Sequence, residues 1–442
     1  MHMDTHTLAV AGAAAATAML SRPTAIKDKA LESIAARLKE RASDIFAANK
    51  RDMAAARAAG LDMSILARLD YGSKKLDESI AMLNALAGLP DPAGRVLEAR
   101  RLDAGLTLRR VSCPIGLIAL IFESRPDALV QMAGLAAKSG NAIIVKGGHE
   151  AEHTNRILAE AIAAAGVEAG LPESWLGAIE TRDEVAELLG LDQYVDLVIP
   201  RGSNAFVRHI MNTSAIPVLG HAEGVCHVYV DADADPNMAA RIVVDSKAQY
   251  PAACNAAEVL LVHASAAPRV LPVIAAALEN AGVRLDLCRR SMDILGPGST
   301  RQPKLDDEWA VEYLSLRMAV RIVESIDDAI AHINHYGSGH TDSIVCESGA
   351  TARRFMDEVD SASVFHNAST RFADGFRYGL GAEVGISTGK LHARGPMGLD
   401  GLMTYKWRLM GAGNIVAEYA SGSKTFEHAE LSPEMEGYHG ES

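Results

Sequence analysis

Cys254 stands in the run Tyr250-Pro251-Ala252-Ala253-Cys254-Asn255-Ala256-Ala257-Glu258, a thiol in a loop of small residues between a helix pattern and a strand pattern. Small neighbours let a substrate approach the sulfur closely, and a thiolate so placed can form a covalent intermediate. The spacing alone favours a buried structural cysteine slightly over a nucleophile. Cys113, Cys226, Cys288 and Cys346 are more ordinary, and Cys226 and Cys346 sit in apolar strand-like runs as small core residues do. A second pattern, His149-Glu150-Ala151-Glu152-His153, matches the H-E-x-x-H of zinc hydrolases, in which two histidines share a helix face with a glutamate base. It follows directly on Lys146-Gly147-Gly148 at a helix start, and no glycine and third histidine extend it, so an accidental match is the expectation. His332, His335 and His340 read as an exposed helix end and loop. The third feature is Lys146 at the end of one predicted strand and Gly202-Ser203 at the end of another, just before a helix. Open parallel sheets bind ligands at the carboxyl ends of their strands, and a helix N-terminus near a lysine suits phosphate. G-x-G-x-x-G is missing after the first strand, and Gly385 to Lys390 falls one residue short of a P-loop.

The elements that must position these residues alternate. Residues 8–20 read as an alanine-rich helix rather than a signal peptide, since no basic region precedes them and Ala is weakly apolar. Ile26, Ala30, Ile34 and Leu38 recur at helical spacing within residues 24–49. Residues 98–113 read as a hairpin turning at Asp103-Ala104-Gly105. Strand 117–122, a helix opened by Pro126 and closed by Gly140, and strand 142–145 make a βαβ unit. Helices at 151–165, 183–189 and 204–211 and a strand at 195–199 continue it. A second alternation begins at 228–230, with a helix through Ile242, strand 259–262 and further strands at 320–323, 343–346 and 363–366. A glycine-rich stretch, 375–398, reads as irregular and site-lining. Strands alternating with helices predict an α/β fold with covered parallel sheets.

With 442 residues the chain exceeds one core, so two domains plus an appendage are expected. Hydrophobic residues make up 49% and aromatics only 5%, alanine taking their place, which favours close packing of helices on sheets. A net charge of −13 argues against nucleic acid as a partner. No run approaches transmembrane length, and five cysteines without paired spacing suit a cytoplasmic protein.

In order along nearly the whole chain, several longer stretches resemble the aldehyde dehydrogenase superfamily, and more closely its gamma-glutamyl phosphate reductase branch. They are Pro114-Ile115-Gly116-Leu117-Ile118 through Phe122-Glu123-Ser124-Arg125-Pro126, Val145-Lys146-Gly147-Gly148, Pro200-Arg201-Gly202-Ser203-Asn204 and Ala253-Cys254-Asn255-Ala256. Residues 364–375, 380–387 and 391–398 close the pattern.

The resemblance implies an aldehyde dehydrogenase-like fold: two Rossmann-like parallel-sheet domains plus a small β oligomerisation arm. Residues 1–97 and 114–224 would bind the dinucleotide and 225–400 would carry the nucleophile. Residues 98–113 and 401–418 would form the arm, and 419–442 a C-terminal tail. It implies Cys254 as nucleophile, and Lys146, His149, Gly202, Ser203 and Glu312 around NADPH or NADP, with no metal. Ser124, Arg125, Asn255, Asn367 and Arg371 are its candidates for substrate contact. Many NAD-using relatives carry a ribose-binding glutamate where this chain has His149, and losing that carboxylate removes repulsion toward a 2'-phosphate. The Glu-Leu-Gly-Gly motif, whose glutamate activates the hydrolytic water of oxidising relatives, is here Pro217-Val218-Leu219-Gly220-His221. An acyl phosphate reductase needs no such water. The implied reaction reduces gamma-glutamyl phosphate to glutamate 5-semialdehyde in the route from glutamate to proline, with functional coupling to glutamate 5-kinase. A homodimer or multiple of dimers is implied, with no nucleic acid or membrane partner. The rivals are another aldehyde or acyl phosphate dehydrogenase, a zinc hydrolase using His149 and His153, and a catalytically silent relative.

Overall fold

The computed structural model describes residues 3–220, 223–304, 308–380 and 385–432. In chain order the first part comprises helices α1 (Thr5–Met19), α2 (Thr24–Glu40), α3 (Ala42–Ala58), α4 (Met63–Leu69) and α5 (Ser73–Ala87). Then come strands β1 (Val96–Asp103), β2 (Leu106–Pro114) and β3 (Leu117–Phe122), helix α6 (Pro126–Ser139), β4 (Ala142–Lys146), α7 (Glu152–Ala169), β5 (Leu176–Ala178), α8 (Arg182–Leu188), β6 (Leu197–Arg201) and α9 (Asn204–Thr213). The second part runs through β7 (Cys226–Val230), α10 (Pro236–Ala248), β8 (Ala257–His263), α11 (Ala267–Asn280), β9 (Arg284–Leu287), α12 (Arg289–Leu295), β10 (Arg301–Pro303) and β11 (Arg317–Val323). It continues with α13 (Ile326–Tyr336), β12 (Thr341–Val345), α14 (Gly349–Glu358), β13 (Ser363–His366), β14 (Gly385–Ser387) and β15 (Gly395–Met397). Strand β16 (Met403–Met410), helix α15 (Val416–Ala420) and strand β17 (Ala429–Leu431) are the last elements among the described residues.

Two compact units result: residues 1–202, 209–218 and 398–442 form one, and 203–208 with 219–397 the other. In the first, a parallel sheet runs in the order β5-β4-β3-β6. All six residues of β3 are buried, as expected of a central parallel strand covered on both faces. Pro126 opens α6, and Gly140 ends it in the left-handed region at φ +81, where a β-carbon would be strained. Helix α1 lies close to the sheet: a β-carbon on Gly12 would stand 2.9 Å from Leu117, and Ala9 and Ala15 are buried. The alanine bias thus thins the layer between helix and sheet.

An antiparallel sheet in the order β16-β2-β1-β17 belongs to the same unit. β16 pairs with β2 along all eight residues, from Met403 opposite Pro114 to Met410 opposite Thr107. Its alternation suggests one buried face, yet every residue after Met403 is exposed, with Tyr405 and Trp407 half exposed and Leu409 more so. Residues 419–432 are not simply a tail: β17 pairs with β1, Tyr419 stacks on Phe426 and its hydroxyl donates to Asp103 at 2.8 Å.

The second unit holds a parallel sheet ordered β10-β9-β11-β8-β7-β12-β13. Period-two alternation divides its core: Val228, Val230, Leu260, Val262 and Val320 pack with α10 and α11 on one face, while Tyr229, Val259, Leu261 and Ala319 pack with α13 and α14 on the other. Sequence periodicity finds most of these strands but misses β5, β9, β10, α11, α12 and α14, and the stretch 375–398 read as irregular contains the short β14 and β15. It also joins α2 to α3 across Arg41 and sets β6 two residues early. The expectation for His332 and His340 is corrected: both are buried, His335 alone being exposed. Among the described residues no helix is long and apolar enough to cross a membrane.

His332, on α13, lies against Trp309 and Tyr336 and accepts a hydrogen bond from Arg321 Nη1 at Nδ1, 2.8 Å away. Burial, then the neighbouring His227 and Arg321, hold its pKa down from 6.5 to about 2. The unfolded chain binds a proton below 6.5 that the folded chain refuses, so this histidine's contribution is present above that value and lost as pH falls below it. The slope is at most about 1.4 kcal/mol per pH unit. His332→Gln keeps an acceptor for Arg321 and removes the titration. Urea midpoints across the acid range are expected to fall less steeply for the variant than for the wild type, and equal slopes would refute the assignment.

Candidate active site

Cys254 lies between α10 and β8 in two successive turns, closed by Ala253 N–H to the Tyr250 carbonyl at 3.2 Å and Ala256 N–H to the Ala253 carbonyl at 2.9 Å. An ion pair joins the stems: Lys247 of α10 meets Glu258 of β8 at 2.5 Å, both side chains fully buried. Burial raises the Glu258 carboxyl to about 7 and lowers the Lys247 ammonium, their mutual attraction opposing both shifts. Such a pair adds little net stability, but losing either partner strands a charge in the core.

Around the turn, the Cys226 thiol donates to the Cys254 carbonyl at 3.3 Å. Gly224 packs on the same peptide so tightly that a β-carbon there would stand 2.0 Å from the Cys254 carbonyl oxygen and 2.8 Å from its Cα. The Gly224 N–H donates to Glu312 Oε1 at 2.9 Å, and the other Glu312 oxygen accepts from Asn204 Nδ2 at 2.5 Å. Glu312 therefore braces the strand entrance against which the nucleophile rests. Cys254 is partly exposed, and its sulfur lies 3.2 Å from Nε2 of His340, which is fully buried and whose Nδ1 lies 2.8 Å from the Thr341 hydroxyl.

After β13 the chain reverses at Asn367, whose φ is +53 and whose amide exchanges two hydrogen bonds with the Cys346 backbone, at 2.9 and 3.1 Å. It then returns to the nucleophile's end of the sheet, where the Ala373 carbonyl accepts from Asn255 Nδ2 at 2.8 Å. Arg371, on this returning segment, is almost wholly buried; its Nε donates to Gln249 at 2.9 Å and its guanidinium lies over the Tyr250 ring. Burial and then Arg377 hold its pKa below the ordinary value, while an anionic Cys254 pulls the other way. A buried cation thus faces the nucleophile turn.

In the first unit, Lys146 ends β4, and burial lowers its pKa, with Glu150 opposing. A cavity of about 420 Å³ opens beyond this edge, lined by Leu129, Val145, Ile179, His149, Arg156 and Glu180 among others. Its volume lies in the range of small-molecule sites, and its apolar wall with a charged rim suits a nucleoside-sized group. His149 is largely exposed and contacts Glu152 at 3.0 Å, and Arg156 binds both Glu152 and Glu180, at 2.7 and 3.0 Å. His153 instead pairs with Asp52 at 2.8 Å. The two H-E-x-x-H histidines thus have separate carboxylate partners, and among the described residues no three His, Cys, Asp or Glu side chains gather as a metal site. Gly202 follows β6, at the same carboxyl edge of the sheet, and Ser203 comes next, immediately before α9. Ser124 is committed to the segment between β4 and α7, its N–H and hydroxyl both donating to Glu150 at 2.6 Å, and Arg125 is the N-cap of α6.

Sequence reasoning missed His340, Gln249, Gly224 and the Lys247–Glu258 pair. For His340 a signal existed: Gly337-Ser338-Gly339 leads directly into a buried strand, the same small-residue approach that marks Cys254.

The fold class is that of the aldehyde dehydrogenases, whose family model, described as "Aldehyde dehydrogenase family", matches residues 3–297. The gamma-glutamyl phosphate reductase of Pelotomaculum thermopropionicum is 51% identical over 429 residues, covering 97% of this chain and 98% of its own. That of Acetivibrio thermocellus is 51% identical over 412 residues, covering 93% and 95%. The crystal structure of gamma-glutamyl phosphate reductase from Thermotoga maritima matches with a TM-score of 0.91 at 39% identity, covering 93% of this chain and all of that one. This chain belongs to the gamma-glutamyl phosphate reductase family of the aldehyde dehydrogenases, and is an oxidoreductase.

Gly224→Ala tests how tightly the turn is held. The new methyl must displace the Cys254 peptide, and a displacement of about 1 Å at a reacting centre costs on the order of 100-fold in rate. The expected result is that loss in kcat with an unchanged circular dichroism spectrum; an unaltered kcat would mean the turn yields at no cost.

Proposed function

We propose that the protein reduces L-gamma-glutamyl 5-phosphate to L-glutamate 5-semialdehyde with NADPH, releasing phosphate, in the cytoplasmic route from glutamate to proline. The observation that carries this reading is the partly exposed Cys254, held in a glycine-backed turn beside a buried arginine. The names of relatives that match nearly the whole chain support the substrate. Cys254 attacks the acyl carbon, and its sulfur replaces the phosphate oxygen to give a thioester. NADPH supplies the hydride that reduces this thioester. The Cys254 N–H donates to the developing oxyanion, an interaction worth about 3 kcal/mol in comparable sites. Arg371 offers its charge to the acyl phosphate, and Asn255 supports the turn from the next position. The five positions 217–221 contain no carboxylate to activate water, which suits a thioester meant for reduction. His221 lies outside the described residues.

For the cofactor, the reading places Lys146, His149, Gly202, Ser203 and Glu312 around the dinucleotide. The cavity holds three carboxylates, Glu152, Glu160 and Glu180, of which Glu152 is shared by His149 and Arg156 and Glu180 is held by Arg156. The support for NADP is His149 itself, exposed at this rim where many NAD-using relatives carry a ribose-binding glutamate, so that one source of repulsion toward a 2'-phosphate is removed. Residues 98–113 and 401–418 act as an oligomerisation arm, because the eight-residue edge strand β16 leaves Tyr405, Trp407 and Leu409 uncovered.

Formation of NADPH from glutamate 5-semialdehyde and phosphate, the reverse direction, tests the reaction. Turnover is expected with NADP in preference to NAD, and Cys254→Ser is expected to abolish it while the fold survives. Substantial turnover by the serine variant defeats the covalent route, and a preference for NAD defeats the cofactor assignment.

Light scattering tests the arm. The full chain is expected to be a dimer or a multiple of dimers at micromolar concentration, and a chain truncated after Gly401 a smaller species. A monomeric full chain overturns the arm.

A further inference from the structure

The Cys254 thiol must lose a proton to attack an acyl carbon. His340 fills the need by position. Its Nε2 lies 3.2 Å from Cys254 Sγ, within reach of a hydrogen bond to sulfur, and the ring is fully buried. Its other nitrogen lies 2.8 Å from the Thr341 hydroxyl. With the Nδ1 proton donated to that oxygen, the Nε2 lone pair faces the thiol. This is the arrangement of a base oriented by a third group.

We propose that His340 is the acid–base partner of Cys254, a role that rests on the reductive reading above. As the sulfur–carbon bond forms, the thiol proton passes to Nε2. The bond from the acyl carbon to the phosphate oxygen breaks with its electron pair on oxygen, and the imidazolium gives that oxygen the proton, so hydrogen phosphate leaves. Once hydride has reached the acyl carbon, the oxyanion re-forms the carbonyl and the carbon–sulfur bond breaks with its pair on sulfur. The thiolate of the partly exposed Cys254 then takes a proton from solvent. One proton is consumed per turnover, and the carbon is reduced by the two electrons of the hydride.

The groups around the pair fit this assignment. From β7, Cys226 spends its proton on the Cys254 carbonyl, and burial holds its thiol well above the ordinary range, so it does not compete as the nucleophile. From the segment after β13, Arg371 presents a positive charge that favours a thiolate. The Lys247 and Glu258 charges answer one another, Glu312 is bonded to Gly224 and Asn204, and Asp342 of β12 is bonded to His227 and Ser361. None of these carboxylates is hydrogen-bonded to the Cys254 sulfur among the described residues, whereas His340 is.

The test measures alkylation of free enzyme by iodoacetamide as a function of pH, with the rate seen in Cys254→Ser subtracted to remove the other cysteines. His340→Gln is expected to slow alkylation near neutral pH by about tenfold or more and to move the rise of the profile to higher pH. It should lower kcat by on the order of 100-fold or more with little change in KM. A His340→Gln profile that superimposes on the wild type overturns the proposal. Should that variant fail to fold, Thr341→Val, which removes the group that orients the ring, is expected to move the profile the same way by a smaller amount, and an unmoved profile overturns the proposal equally. Failure of the substrate reading looks different: gamma-glutamyl phosphate is then not turned over, yet the alkylation profile still depends on His340.

Discussion

Everything at the candidate site depends on two loops meeting over a strand that separates them. Cys254 precedes β8 and His340 precedes β12, and in the sheet β7 lies between these two strands. The chain entering β7 must therefore pass under both loops, and any side chain at Gly224 would occupy the volume of the Cys254 peptide. Glycine there is a demand of close approach rather than of backbone conformation. Once the two backbones touch, Cys226 and Glu312 can hold the turn from either side of that contact, and a sulfur on a loop acquires the fixed position of a residue in regular structure.

The two units use opposite ends of their parallel strands. In the first, Lys146, His149 and Gly202 cluster at carboxyl ends, where open α/β sheets normally bind ligands. In the second, Gly224, Cys254 and His340 all stand at amino ends. That reversal has a structural cost, because loops there arrive from helices rather than leaving strands. The fold meets it with the Lys247–Glu258 pair, which ties the last turn of α10 to the start of β8 so that the intervening loop is clamped at both stems. It meets it again by sending the segment after β13 back along β12, so that Arg371 reaches the nucleophile's edge although its strand points away.

How much of this could be read from sequence follows from the range of each interaction. Period-two and helical spacing are local, and they locate β3, β4, β7, β8, β12 and β13 and the cysteine between a helix and a strand. Boundaries set by packing escape that kind of reading: Arg41 breaks one amphipathic pattern into two helices, and the short β5 and β9 carry too few residues for alternation to register. The partners of Cys254 escape too. His340 is 86 residues away along the chain, and its burial depends on strand order that periodicity does not reveal. Asn367 and Ser124 fall on the other side of the same difficulty. Their place in recognisable stretches makes them candidates for substrate contact, while their hydrogen bonds are spent on Cys346 and Glu150.

The chemistry expected of the site is constrained as much by what would be harmful as by what is useful. A thioester awaiting hydride is lost if water reaches it together with a base, and a flexible carboxylate near solvent would supply that base. A fully buried imidazole is a different kind of acceptor. It can exchange a proton with the sulfur it touches and with a leaving group held at the same carbon, but it offers bulk water no accessible nitrogen. With His340 as the proposed acid–base partner and Arg371 as the cation, proton transfer and charge stabilisation fall to separate residues. Each function then rests on a residue locked by its own neighbours, Thr341 for His340 and Gln249 for Arg371, so neither has to move when the acyl group arrives.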